Sequence, residues 1–150
     1  MIRLANPQEY PHLTEIWQRS VRATHDFLSE QEIARLKVYV ENDYLPHVAP
    51  YVWLDNHMLP QGFVGVVAQR IEMLFVEPDL RGQGIGRQLV NFAVTELAAR
   101  ELDVNQQNPQ GTGFYLSMGF VVTGRSALDA QGNPYPLLHM RLAEGECNSG

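Results

Sequence analysis

The stretch Ile71-Glu72-Met73-Leu74-Phe75-Val76-Glu77-Pro78-Asp79-Leu80-Arg81-Gly82-Gln83-Gly84-Ile85-Gly86-Arg87 reads as a strand, a glycine-rich turn and the start of a helix. Glycines at 82, 84 and 86 remove the side chains that would keep a phosphate away from the backbone. The helix behind them directs unpaired N–H groups and a partial positive charge at the same point. A turn of this kind suits a pyrophosphate.

Dinucleotide and nucleoside triphosphate sites share that strand, turn and helix, so the spacing decides. The G-x-G-x-x-G fingerprint needs glycine or alanine at 87, where Arg87 stands, and it normally opens a parallel sheet. A P-loop needs Lys-Ser or Lys-Thr after its last glycine, and neither follows here. A plain glycine-rich surface turn accounts for the flexibility but not for the second segment described next.

The remaining pattern, [QR]-x-x-G-x-[GA], is met by Arg81, Gly84 and Gly86. Downstream, Asn105-Gln106-Gln107-Asn108 is followed by Gly113-Phe114-Tyr115-Leu116-Ser117-Met118-Gly119-Phe120. In these two segments the chain resembles the GCN5-related N-acetyltransferase (GNAT) superfamily, whose second segment is N-x-x-A-x-x-F-Y-x-x-x-G-F. The order and spacing of the pieces agree, and the resemblance covers nearly the whole chain. Gly111 stands where the family has alanine, a change that weakens the local helix slightly. The run from Gly124 to Leu138 further resembles a bacterial subgroup of small acetyltransferases.

The rest of the chain is consistent with one α/β domain over residues 1–143 and a flexible polar tail, 144–150. Ile2 and Leu4 suggest a first strand. Leu13, Ile16, Trp17 and Val21 recur at helical spacing behind Pro7. Ser29 and Glu32 have the spacing of a capping box for a second helix running to about Tyr44. Pro46 and Pro50 bracket a loop, and the segments 51–54, 63–67 and 71–76 read as an antiparallel meander. A helix from Gly84 to about Arg100, a strand at 102–104, a helix at 110–118 and strands at 121–125 and 137–142 complete the reading. The expected architecture is a mixed, mostly antiparallel central sheet flanked by helices, which is the GNAT or acyl-CoA N-acyltransferase fold that the resemblance implies.

The resemblance assigns roles. The backbone of Leu74, Phe75 and Val76 is expected to pair with a pantetheine arm, and the amides of Arg81, Gly82, Gln83, Gly84, Ile85, Gly86 and Arg87 to take the pyrophosphate. An amide near Leu74 or Phe75 would hold the acetyl oxygen as it gains negative charge. Asn108 is expected near the cofactor. Tyr115 is the expected general acid, because a phenol beside the sulfur can protonate the departing thiolate. The competing reading makes Phe114 and Tyr115 packing aromatics. An acceptor ammonium must lose a proton before it attacks, and Glu72 is the leading base, set among apolar strand neighbours. The alternative is an exposed carboxylate at a strand end. His25 and Asp26, where the first helix breaks, are substrate-side candidates or a capped turn. His12, His47, His57 and His139 lack metal-ligand spacing, so no metal is inferred.

Composition narrows the function. A formal charge of -6 disfavours nucleic acid and favours a cationic partner. The single cysteine, Cys147, lies in the tail, which excludes an internal disulfide and argues against a covalent thiol route. The N-terminus lacks a signal peptide's apolar core, and no apolar run nears the roughly 18 residues that cross a bilayer. A cytoplasmic protein with no membrane partner is expected. The leading function is transfer of acetyl from acetyl-CoA to a primary amine in a ternary complex, the amine being a protein lysine, an N-terminus or a small molecule. A catalytically idle acetyl-CoA-binding sensor is the alternative, and a homodimer through a free sheet edge stays open.

Overall fold

The meander expected from Tyr51 to Val76 is present in the computed structural model, which describes residues 1–24, 27–129 and 132–143. Strands β2 (Tyr51–Leu54), β3 (Pro60–Val67) and β4 (Arg70–Val76) pair antiparallel in sequence order, and β1 (Ile2–Leu4) pairs antiparallel with β2. With α1 (Tyr10–Thr24), α2 (Glu30–Tyr39), α3 (Leu45–Val48) and α4 (Ile85–Glu96) they make up a first unit, Met1–Ala99. A second unit begins at Arg100 and holds β5 (Glu101–Asn105), α5 (Pro109–Ser117), β6 (Phe120–Ser126) and β7 (Leu137–Leu142). Its strands are antiparallel in the order β5-β7-β6.

The first unit's core follows from the helical stripe in the sequence. Leu13, Ile16, Trp17 and Val21 of α1 are all buried, in one cluster with Val52, Leu54, Phe63 and Met73 of the sheet. Each such burial contributes about 1.5–3 kcal/mol. In the second unit the alternation has a period of two: Leu102 and Val104 are buried while Asp103 between them is exposed, and Met140 is buried opposite Leu102. The capping box forms as expected, with Glu32 N donating to Ser29 Oγ at 3.1 Å and Ser29 N donating to Glu32 Oε1 at 3.0 Å.

Three boundaries differ from the sequence reading. The first helix is preceded by a 3-10 turn, Pro7–Glu9. The second helix ends at Tyr39 and continues as a π-helical turn, Val40–Tyr44, into α3, so Pro46 lies in a helix and not in a loop. Proline cannot donate within an uninterrupted α-helix and its ring crowds the preceding turn. In the first turn of a new helix the missing N–H costs nothing, and the wider π turn makes that restart possible. The helix from the glycine turn stops at Glu96 instead of Arg100, since Ala98 enters the left-handed region at φ 59°.

Gly65 seats α3 on the sheet. A Cβ there would stand 2.6 Å from Val48 Cγ2 and 2.9 Å from Val48 Cβ, closer than packed carbons approach. Val48 is itself buried and has nowhere to retreat. Gly65→Ala is therefore expected to destabilise the protein by about 1–3 kcal/mol in urea unfolding, through overpacking and displacement of α3.

Candidate active site

The turn after β4 holds the strongest anion-binding geometry. Gly82 and Gly84 have φ of 81° and 86°, a left-handed backbone that glycine adopts without strain, and a Cβ at either position would meet no atom within 4 Å. Gly84 is the N-cap of α4 and offers no side-chain cap, while Gly86 lies in the helix's first turn. Among the described residues, the amides from Gly82 to Arg87 donate to no backbone or side-chain acceptor. Arg81 and Arg87 are exposed and form no ion pair or side-chain hydrogen bond there. Unpaired amides, a helix N-terminus and two free guanidiniums around open space fit a pyrophosphate.

The strand leading into the turn carries Glu72, Leu74, Phe75 and Val76. Gly65 of β3 pairs with Met73 and Val66 with Ile71, so Glu72 is the extra residue of a β-bulge. Its Oε1 accepts a hydrogen bond from the Tyr44 hydroxyl at 2.8 Å. The other carboxylate oxygen has no protein partner among the described residues. Glu72 is thus half-buried and oriented by a phenol, not a carboxylate loose at a strand end. Leu74, Phe75 and Val76 pair with Val64, Phe63 and Gly62, and the Phe75 and Phe63 rings lie 5.7 Å apart.

Tyr44 was not legible as a site residue. It stands 28 residues from Glu72 and meets it only because of the π turn. Beside the glycine turn an open cleft of about 550 Å³ is lined by Arg19, Asp55, Glu77, Asp79 and Gln83, with Arg19 paired to Glu77 at 2.5 Å. Glu72 does not line it.

In the second unit, Asn108 caps α5: its Oδ1 accepts from Gly111 N at 3.1 Å. A Cβ on Gly111 would lie 2.6 Å from Asn108 Nδ2, so glycine in place of the family's alanine gives the cap room. Tyr115 follows on the same helix, in edge contact with Phe114 at 5.3 Å and Phe120 at 6.0 Å between ring centroids. Burial pushes the phenol's pKa far above its ordinary value, so it stays protonated. Its hydroxyl has no protein hydrogen-bond partner among the described residues and is not sealed from solvent. His25 and Asp26 lie outside the described residues, as does Cys147. No group of three or more His, Cys, Asp or Glu among the described residues is arranged to hold a metal. No helix there is long and apolar enough to cross a membrane.

The family model for the acetyltransferase (GNAT) domain matches residues 21–143. The chain is 45% identical over 139 residues to the peptidyl-lysine N-acetyltransferase YjaB of Salmonella typhimurium strain LT2, covering 93% of this chain and 95% of that one. It is 42% identical to the Escherichia coli K12 protein of the same name, with 93% and 94% covered. The solution structure of apo-form YjaB from Escherichia coli superposes with a TM-score of 0.87 at 41% identity, over 97% of this chain and 98% of that one. The expected fold, a mixed and mostly antiparallel sheet flanked by helices, is the one this likeness shows.

Two glycines separate strain from propensity. Gly84→Ala forces a side chain into the left-handed region and should cost about 1–2 kcal/mol. Gly113→Ala, in α5 with open space around it, should stabilise by about 0.5–1 kcal/mol. Chemical denaturation of the two variants checks the opposite signs.

Proposed function

We propose, for a chain that belongs to the GNAT acetyltransferases and moves an acetyl group from acetyl-CoA to a primary amine, that the acceptor is the ε-amine of a protein-bound lysine, with Tyr115 as general acid and Glu72 as general base. The observation that carries the chemistry is the set of unpaired amides from Gly82 to Arg87 around open space, flanked by the free guanidiniums of Arg81 and Arg87. The acceptor class rests on relatives named for peptidyl-lysine that align over almost their whole length, and on a formal charge of -6 that favours a cationic partner.

In this reading the turn's amides hold the pyrophosphate of acetyl-CoA, and the backbone of Leu74, Phe75 and Val76 runs beside its pantetheine arm. Asn108 stiffens the start of α5 and so fixes where Tyr115 stands. A lysine ammonium, with a pKa of about 10.4, cannot attack until its proton leaves. Glu72 receives that proton on the oxygen that Tyr44 does not occupy, while Tyr44 keeps the carboxylate turned. Tyr115, held neutral by burial, gives a proton to the sulfur as the carbon–sulfur bond breaks. The amine attacks the acetyl carbon directly.

Tyr115→Phe should lower kcat about 100-fold or more with acetyl-CoA affinity retained, and Glu72→Gln should do so with the loss greatest for the most basic amines. Tyr44→Phe should cost only a few-fold, since it removes the orienting bond and leaves the carboxylate. Thiol release from acetyl-CoA is measured against internal-lysine peptides, free N-terminal peptides and polyamines. Release confined to polyamines or N-termini refutes the lysine assignment, and full activity in Tyr115→Phe refutes the acid.

A further inference from the structure

Three strands of the second unit bring together a serine, a histidine and an aspartate that acetyl transfer does not use. His139 on β7 stands in register with Asp103 on β5, and its Nδ1 lies 2.7 Å from Asp103 Oδ1. Its Nε2 lies 2.6 Å from Ser126 Oγ on β6. The register explains the reach. Thr123 is the extra residue of a bulge that sets Gly124 opposite His139, so only backbone lies beneath the ring on that side and Ser126 comes up diagonally. Asp103 is exposed between the buried Leu102 and Val104, and His139 precedes the buried Met140, which puts the trio on the sheet face away from those core residues.

We infer that Ser126 is a nucleophile, activated by His139 and Asp103, that accepts an acyl group from small activated esters. The Asp103 carboxylate holds the proton on His139 Nδ1, which leaves the Nε2 lone pair facing the Ser126 O–H. On a half-exposed ring water could satisfy Nε2 equally well, so the hydroxyl is not needed for satisfaction alone. Ser126 Oγ adds to the ester carbonyl as its proton passes to Nε2. The bond to the leaving alcohol then breaks and the alcohol departs with that proton. Water attacks the acyl-serine with Nε2 taking its proton, and the carboxylic acid leaves as Oγ is reprotonated. The open face suits small, unhindered aryl esters.

The test is acetylation of the full chain by p-nitrophenyl acetate, with nitrophenolate release followed and the modified peptide located by mass spectrometry. Ser117 is the internal comparator: it is exposed, its hydroxyl donates to Phe114 O at 2.6 Å, and among the described residues no imidazole bonds to it. Ser126 should acylate at least about 10-fold faster than Ser117, and His139→Ala should lower that ratio about 10-fold or more, with added imidazole restoring it. Asp103→Asn should lower the ratio by less. A general loss of structure would also level the two serines, but added imidazole would not then restore the ratio, so the rescue separates the two causes. Ser126→Ala should abolish the adduct and leave amine acetylation unchanged. Equal labelling of the two serines, or a ratio that His139→Ala leaves unmoved, overturns the inference.

Discussion

The left-handed turn through Gly82 and Gly84 is the constraint from which the site grows. It brings the chain from β4 into α4 with no side chain over the bend, and a helix begun this way has no internal acceptor for its first amides. In water those N–H groups are solvated, so leaving them uncapped costs little. Once an anion displaces that water, they act together with the helix dipole and with Arg81 and Arg87. A side chain at 84 would be forced into the left-handed region, and a capping oxygen there would occupy the same donors. The glycine avoids that strain and leaves the donors open.

A second constraint fixes Glu72. The carboxylate is aimed by a bulge on its own strand and by a phenol from a segment that interrupts two helices. That segment sits where it does because Pro46 forces a restart and Gly65 lets Val48 press onto β3. The same glycine borders the bulge, at the step where Gly65 pairs with Met73 and Val66 with Ile71. One small residue thus serves both partners of the Tyr44–Glu72 hydrogen bond. Its absence of a side chain is a packing requirement with a chemical result.

Legibility in the sequence followed the range of the interaction. The glycine turn, the Ser29–Glu32 capping box and the buried stripe of α1 depend on residues within a few positions of one another, and all were readable. So was the meander, whose turns are short. The π turn was not readable, because it answers to a proline and to tertiary packing at once, and helical periodicity looks the same on either side of it. Tyr44 could not be paired with Glu72 for the same reason. Gly111 looked like a weakened helix residue, yet its reason is the Asn108 side chain folded back over it. His139 was weighed only as a metal ligand, since a cross-strand trio depends on register, and the shift at Thr123 cannot be read from spacing.

Burial and hydrogen bonding divide the two proposed proton-handling groups in a way that suits opposite tasks. Tyr115 meets the edges of two phenyl rings, is bonded to nothing among the described residues and stays in its neutral form, so near neutral pH it has a proton to give. Glu72 carries a donor on one oxygen and leaves the other open, which is an acceptor's arrangement. Had the aromatic cluster instead supplied Tyr115 with a strong donor or a nearby cation, the phenolate would be favoured and the residue would lose its use as an acid. The apolar neighbours in the Phe114–Tyr115–Phe120 run further disfavour the phenolate, so packing these rings and the proposed acid role are compatible demands on one segment.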